Sequence, residues 1–306
     1  MLPTPSFHHL HLNSVDPDAA IGFYTRQFPS TSAGTWGGHK AVLSPNAVMI
    51  LFNKVDTPPP MSPPSAIWHF GWHVPDVRGS IETFKARPEV KLRPLYTTDE
   101  GGYVLVNSDT WPAPKGGAPG LTRAQIAEAR ANNVQPAGGG GFAYMDGPEG
   151  ALVEYVGNHP AERFDHVHLW QDDPYAALDW YQTHLNAPVR AGFTPPTQDE
   201  RRVKRGSERS WPSLNQDGMF RDPRAGVVFG DVVLTWYGNQ WDAPLVPSRG
   251  QLQDHIAFGV ADLDAWVAKL RVEGVTFLEQ PYKLGDTRAV MIEGPSKEAL
   301  ELVEVR

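Results

Sequence analysis

The chain has 306 residues, 41% of them hydrophobic and 20% charged, with a net charge of −8, a globular composition long enough for two cores. The acidic balance argues against a general nucleic-acid or anionic-membrane binder, and the lack of any cysteine excludes disulfides, thiolate metal sites and cysteine nucleophiles. The opening "MLPTPSFHHLHL" has no leader-like pattern and no run nears a membrane span. The expectation is a soluble cytoplasmic protein, monomer or homodimer, with export after leader removal as the alternative.

The first predicted element is a strand, "HHLHLNS", followed by Asp16-Pro17 and a helical pattern through Ile21, Phe23 and Tyr24. A strand "AVMILFN" comes next. A second strand–Asp–helix unit then opens at "WHFGWHVPDVRGSIETF" and closes on "GALVEYVG". Near Gly157–Pro160 the pattern restarts, and Phe164–Tyr181 aligns without gaps on Phe7–Tyr24 at an offset of 157. This third unit continues through "VVFGDVVLTWYG". A fourth, "DHIAFGVADLDAWVAKL", carries Leu263, Trp266, Val267 and Leu270 at helical spacing and ends in "RAVMIEG" and "ALELVEV". The chain therefore reads as an α+β protein of four strand–helix–strands modules, grouped as domains 1–158 and 159–306.

Length differences between the copies locate two inserts, at about 99–138 and 194–225. The first carries "LTRAQIAEARANN", a predicted helix with a Thr122/Gln125 capping box, ahead of Gly138–Gly141. The second includes five basic residues within 199–209, "DERRVKRGSER", which reads mainly as a solvated loop. The glycine run follows no strand of the kind a phosphate loop requires.

In every copy a histidine stands seven residues before an aspartate: His9/Asp16, His69/Asp76, His166/Asp173 and His255/Asp262. A lone strand histidine is ordinarily structural; four at one offset are harder to dismiss. The two even copies add a carboxylate six residues after a proline, Glu154 after Pro148 and Glu301 after Pro295, each in an apolar strand. An isolated carboxylate there would cost several kcal/mol if buried unpaired. Two imidazoles and one carboxylate are a ligand set for a divalent metal with open positions. Two groupings are open. Adjacent modules give His9/His69/Glu154 and His166/His255/Glu301, the grouping that the duplication favours. Pairing the first module with the fourth gives His9/His255/Glu301 and His69/His166/Glu154.

Residues two apart on a strand share a face, which places His11 and Asn13 beside His9, His73 beside His69, and His168 and Trp170 beside His166. His11, His73 and His168 are candidate acid–base groups. Asn13, Tyr144, Trp170 and Trp236 are candidate substrate contacts, and Tyr155 could join them in an aromatic cup.

The openings "HHLHLNSVDPDAAIGFY" and "DHVHLWQDDPYAALDWY", with the closings "DGPEGALVEY" and "EGPSKEALELVE", resemble the vicinal oxygen chelate superfamily of glyoxalase I, extradiol dioxygenases and bleomycin-resistance proteins. The resemblance spans nearly the whole chain apart from the inserts. It implies paired βαβββ modules forming open, cupped mixed-sheet barrels around a metal, with ligands from first and last strands. By position these ligands are His9, His69, Glu154, His166, His255 and Glu301. Glyoxalase-type sites resemble two histidines with two acids, and the second acid is missing here. The pattern therefore looks closest to iron-dependent dioxygenases, although the further histidines those enzymes carry near the closing strand are absent from "GGGGFAYMDGPEG". The implied cofactor is a divalent ion, Fe(II) first, with zinc, nickel or manganese as alternatives. The implied activity is dioxygenase-like oxidation of a small chelating substrate, followed by glyoxalase-type lyase or isomerase chemistry, and then by non-catalytic binding of a drug or metabolite.

Overall fold

A computed structural model describes residues 2–92, 131–132, 142–157, 159–191, 224–239 and 244–305. The first module comprises β1 (Ser6–Ser14), α1 (Pro17–Gln27), β2 (Ser32–Trp36), β3 (His39–Leu43) and β4 (Met49–Lys54). The second runs β5 (Ile67–Val74), α2 (Val77–Lys85), β6 (Lys91–Leu92), β7 (Phe142–Asp146) and β8 (Leu152–Gly157). The third contributes β9 (Arg163–Gln171), α3 (Pro174–Leu185), β10 (Arg224–Phe229) and β11 (Val232–Gly238). The fourth adds β12 (Gln253–Val260), α4 (Leu263–Val272), β13 (Phe277–Leu284), β14 (Thr287–Glu293) and β15 (Ala299–Glu304). Apart from residues 131–132 and 224–225, both inserts lie outside the described residues, together with the Thr122/Gln125 cap, Gly138–Gly141 and the basic 199–209 stretch. No helix among the described residues is long and apolar enough to cross a membrane.

The recurring aspartate seven residues after each module histidine has a local role in three copies. Asp16, Asp173 and Asp262 cap their helices, accepting hydrogen bonds from the backbone N–H of Ala19, of Tyr175 and Ala176, and of Ala265. A capping carboxylate satisfies donors that the first turn leaves unpaired, and Pro17 and Pro174 sit where a missing N–H costs nothing.

The strands form two mixed sheets, ordered β13-β14-β15-β12-β1-β4-β3-β2 and β10-β11-β9-β5-β8-β7-β6. At the centre of each, two first strands run antiparallel, β1 with β12 and β5 with β9. A last strand lies parallel on either side: β4 and β15 in one sheet, β11 and β8 in the other. This corrects the favoured pairing of adjacent modules. The first module pairs with the fourth and the second with the third, so a boundary at 158/159 does not separate the two sheets. Connection geometry supplies the reason. The short link at 158–162 returns the chain beside β5, whereas the longer connections at 55–66 and 239–252 carry it from one sheet to the other.

The sheets share one apolar core. On β1, Leu10 and Leu12 enter it while His9, His11 and Asn13 face away. Across the seam Phe7 stacks on Phe164 with centroids 5.6 Å apart, and Phe229 meets Phe258 at 4.2 Å. Helix α1 fills the seam from one side, its following residue Phe28 stacked on Trp72 at 4.2 Å.

The opposite side of the seam is pinned by a buried polar knot. Glu298 accepts from Gln171 Nε2 at 3.0 Å, from the Tyr181 hydroxyl at 2.9 Å and from Ser296 N–H at 2.8 Å. Burial overrides these hydrogen bonds and pushes the Glu298 carboxyl up to about 7. Its folded-state pKa thus lies above the unfolded value. The stabilisation is complete below the unfolded pKa and is lost as pH rises through about 7, a change of about 3 kcal/mol. Chemical denaturation at pH 5, 6, 7 and 8 should show wild-type stability falling across this window, with a clearly shallower fall in Glu298→Gln. Equal slopes in the two proteins would remove Glu298 as the source.

Candidate metal centres

Two clusters lie on the faces of the sheets turned away from the shared core. In the first cup, His9 Nε2 lies 3.3 Å and His255 Nε2 3.8 Å from Glu301 Oε2, all three residues buried. The Tyr282 hydroxyl donates to the other oxygen of Glu301. In the second cup, His69 Nε2 lies 2.7 Å, His166 Nε2 3.4 Å and His168 Nδ1 3.7 Å from Glu154 Oε2. The histidines and carboxylates predicted as ligands therefore converge, in the first-with-fourth and second-with-third grouping. His69 is not brought to His9, nor His255 to His166.

Four β-bulges set this geometry. The extra residues are His8, Trp68, Asp165 and Asp254, each immediately before one of the four module histidines. A bulge breaks strict alternation and re-aims a side chain, so the bulged residue can reach its neighbour's ring. Asp165 Oδ2 accepts from His166 Nδ1 at 2.8 Å, and Asp254 Oδ1 from His255 Nδ1 at 2.6 Å. His8 Nδ1 lies 2.8 Å from His9 Nδ1, the two sharing one proton. Trp68 packs edge-on against His69 with centroids 4.2 Å apart. Partners at Nδ1 fix the tautomer and turn Nε2 inward, as a metal-binding imidazole requires.

The second tier differs between the cups. Behind Asp165 stands His73, whose Nε2 lies 2.6 Å from Asp165 Oδ1. Behind Asp254 stands Arg249, 2.7 Å away and also bonded to Glu279 at 2.8 Å. His73, expected as an acid–base group facing the metal, thus supports the ligand shell from behind. In register, His166 lies opposite Gly71 and His9 opposite Ala257. A Cβ on Gly71 would stand 2.5 Å from His166 Cε1 and 2.7 Å from the Glu154 carbonyl oxygen, so the second cup needs glycine there while the first has room for a methyl group.

The other predicted contacts divide. Asn13 lines the first cup, donating to Gln251 O and to Asp254, and accepting from Asn53. Tyr144 lies 5.1 Å from the His69 ring, and Trp170 stacks at 4.0 Å on Trp68. Trp236 is a correction: it sits fully buried in the shared core against Tyr181, because its neighbours Thr235 and Tyr237 take the cup side of β11. Tyr155 likewise packs in the core, against Phe84. Tyr237, 5.3 Å from His168, supplies the aromatic wall expected of Trp236. Sequence reasoning missed Tyr237, Tyr282, His8, His39, Arg249 and both bulge aspartates. The aspartates had a signal in the Asp-His pairs of copies three and four; Tyr282 had none.

Burial disfavours charge on His166 and His255, but Glu154 and Asp165, and Asp254 and Glu301, outweigh it and hold both imidazoles up at about 9. Burial and neighbouring imidazoles hold His9 and His11 well below the ordinary value, in the neutral ligating form. Glu154 stays ionised because His166 and His69 outweigh its burial. Among the described residues, His9 Nε2, His11 Nε2, His255 Nε2 and Glu301 Oε2 make no hydrogen bond although buried, and neither does His166 Nε2. Leaving such atoms unpaired costs about 1–3 kcal/mol each. A divalent cation in each cup would satisfy the atoms that converge there, so the donor sets fit a metal.

A model of the Glyoxalase/Bleomycin resistance protein/Dioxygenase superfamily matches residues 163–302. Maize (Zea mays) glyoxalase I is similar in structure, with a TM-score of 0.63 and 15% identity over 98% of this chain and 92% of that one. A putative dioxygenase from Bacillus subtilis aligns with a TM-score of 0.55 and 12% identity, over 99% and 86%. A search of curated proteins finds no match. The fold is that of these glyoxalase-like structures. That family model covers the third and fourth modules, and the structural likeness extends the same fold over the whole chain.

Two outcomes follow from this geometry. A cation must displace the proton that His166 or His255 carries below about pH 9, so affinity should rise about tenfold per pH unit from 7 to 9 and then level. Competition titration across a buffer series checks this, and Asp254→Asn should flatten the dependence at one site only. Gly71→Ala should lower bound metal by about half through the clash with His166; full occupancy in that variant would contradict the close approach.

Proposed function

We propose that each cup holds one divalent cation and that the protein is an enzyme acting on a small substrate that chelates this ion through oxygen. The observation that carries the reading is the twofold recurrence of buried imidazoles and one carboxylate converging on a point. When bound, the ion would act as a Lewis acid on the substrate's oxygens. The chain's own residues hold and orient it: Asp254, Asp165 and His8 through the Nδ1 atoms, and Tyr282 through Glu301. The first cup opens into a cavity of about 220 Å³ lined by His11, Asn13, His39, Arg249, Glu279 and Tyr282, a size suited to a compact polar molecule.

Dioxygenase-like oxidation with Fe(II) is the leading reaction. Its support is the lack of a second acid: the last-strand positions beside His11 and His168 are Leu51 and Thr235. Lyase or isomerase chemistry with zinc, nickel or manganese is the second reading, favoured by the extra imidazole in each cup.

Metal analysis of protein purified without added metal separates the readings. Stoichiometric iron with substrate-dependent oxygen uptake supports the first, and another divalent ion without oxygen uptake the second. Failure to take up metal after repletion would leave only a non-catalytic binder. Glu154→Ala and Glu301→Ala should each lose about half of the bound metal, and unchanged content in both would defeat the ligand assignment.

A further inference from the structure

Each cup contains one imidazole more than a two-histidine, one-carboxylate set employs. On β1, His11 follows His9 by two residues and lies in register opposite His255, their rings 4.5 Å apart. It is buried, and its Nε2 makes no hydrogen bond among the described residues. The ligand atoms of His9, His11 and His255 all lie within 4.8 Å of one another. In the second cup His168 occupies the matching place, opposite His69 and with Nδ1 3.7 Å from Glu154 Oε2. There the donor atoms of His69, Glu154, His166 and His168 form one group within the same 4.8 Å.

We infer that His11 and His168 are metal ligands, making the second centre a three-histidine, one-carboxylate set and the first a three-histidine set with Glu301 beside His9 and His255, rather than triads with a nearby acid–base histidine. The inference rests on the reading of the cups as metal centres. Two observations carry it. The arrangement recurs in two cups at the same position of the duplicated strand. A donor atom of His168 groups with those of His69, His166 and Glu154, and one of His11 groups with those of His9 and His255.

The consequence concerns the reaction. A fourth protein ligand leaves fewer positions for outside groups than a triad does. A substrate that chelates through two oxygens then takes up more of what is left. A dioxygenase-like reaction at these centres would then have fewer positions for substrate and oxygen to share than at a triad.

The test uses the full chain and Zn(II) or Co(II) alone. Wild type should bind two ions. His11→Ala should weaken one site roughly tenfold or more while leaving the other unchanged, and His168→Ala should do the converse. Each should also alter the Co(II) absorption spectrum of its site. His11→Gln and His168→Gln, compared with wild type in metal-free thermal unfolding, separate loss of a ligand from loss of fold. Wild-type affinity and spectrum in all four variants would overturn the inference while leaving the metal reading intact. Absence of binding by the wild type would defeat both.

Discussion

Pairing β1 with β12, and β5 with β9, makes every later feature of this molecule depend on contacts between distant parts of the chain. Each antiparallel pair brings together the first strands of two modules, and each first strand carries one module histidine. The parallel last strands then place Glu301 and Glu154 beside them. Were these strands to pair by module adjacency instead, the same six residues would be regrouped, and each carboxylate would keep the histidine of its own module and exchange the other. The composition of the candidate centres is therefore a property of strand pairing before it is a property of any residue.

The bulges turn that pairing into a site. A regular strand would send successive side chains to opposite faces, leaving Asp254 and Asp165 on the core side of the sheets. One extra residue before each histidine turns the neighbour toward its ring, so imidazole and orienting group arrive together. The cost of burying so many polar groups is offset within the cluster, by carboxylates beside imidazoles and by an Arg249 or a His73 behind them. The two cups solve this differently: a guanidinium with Ala257 on one side, a histidine with Gly71 on the other. Both centres share a ligand plan, and their outer surroundings have diverged.

Much of this was legible from residues alone. Period-two alternation in "HHLHLNS" separates the histidine face of β1 from the Leu10 and Leu12 face, and that division holds in the fold. The aspartate seven residues on from His9, His166 and His255 proves to be a helix cap, a local device that local sequence can reveal. Trp236 shows the limit. Its aromatic neighbours looked alike in the string, and strand register alone sent Tyr237 to the cup and Trp236 to the core. Tyr282 lies nineteen residues before Glu301, and only the hairpin of β13 and β14 folds its hydroxyl back onto that carboxylate.

The amino-acid sequence by itself determined the module, its fourfold repetition and the identity of the strand histidines and glutamates that face the cups, because these follow from periodicities within a few residues. Only the tertiary structure decided which modules pair, which histidine meets which carboxylate, and which aspartates stand behind them. Those outcomes depend on the path of the connecting segments and on single-residue bulges that shift register. Neither leaves a periodic trace in the chain.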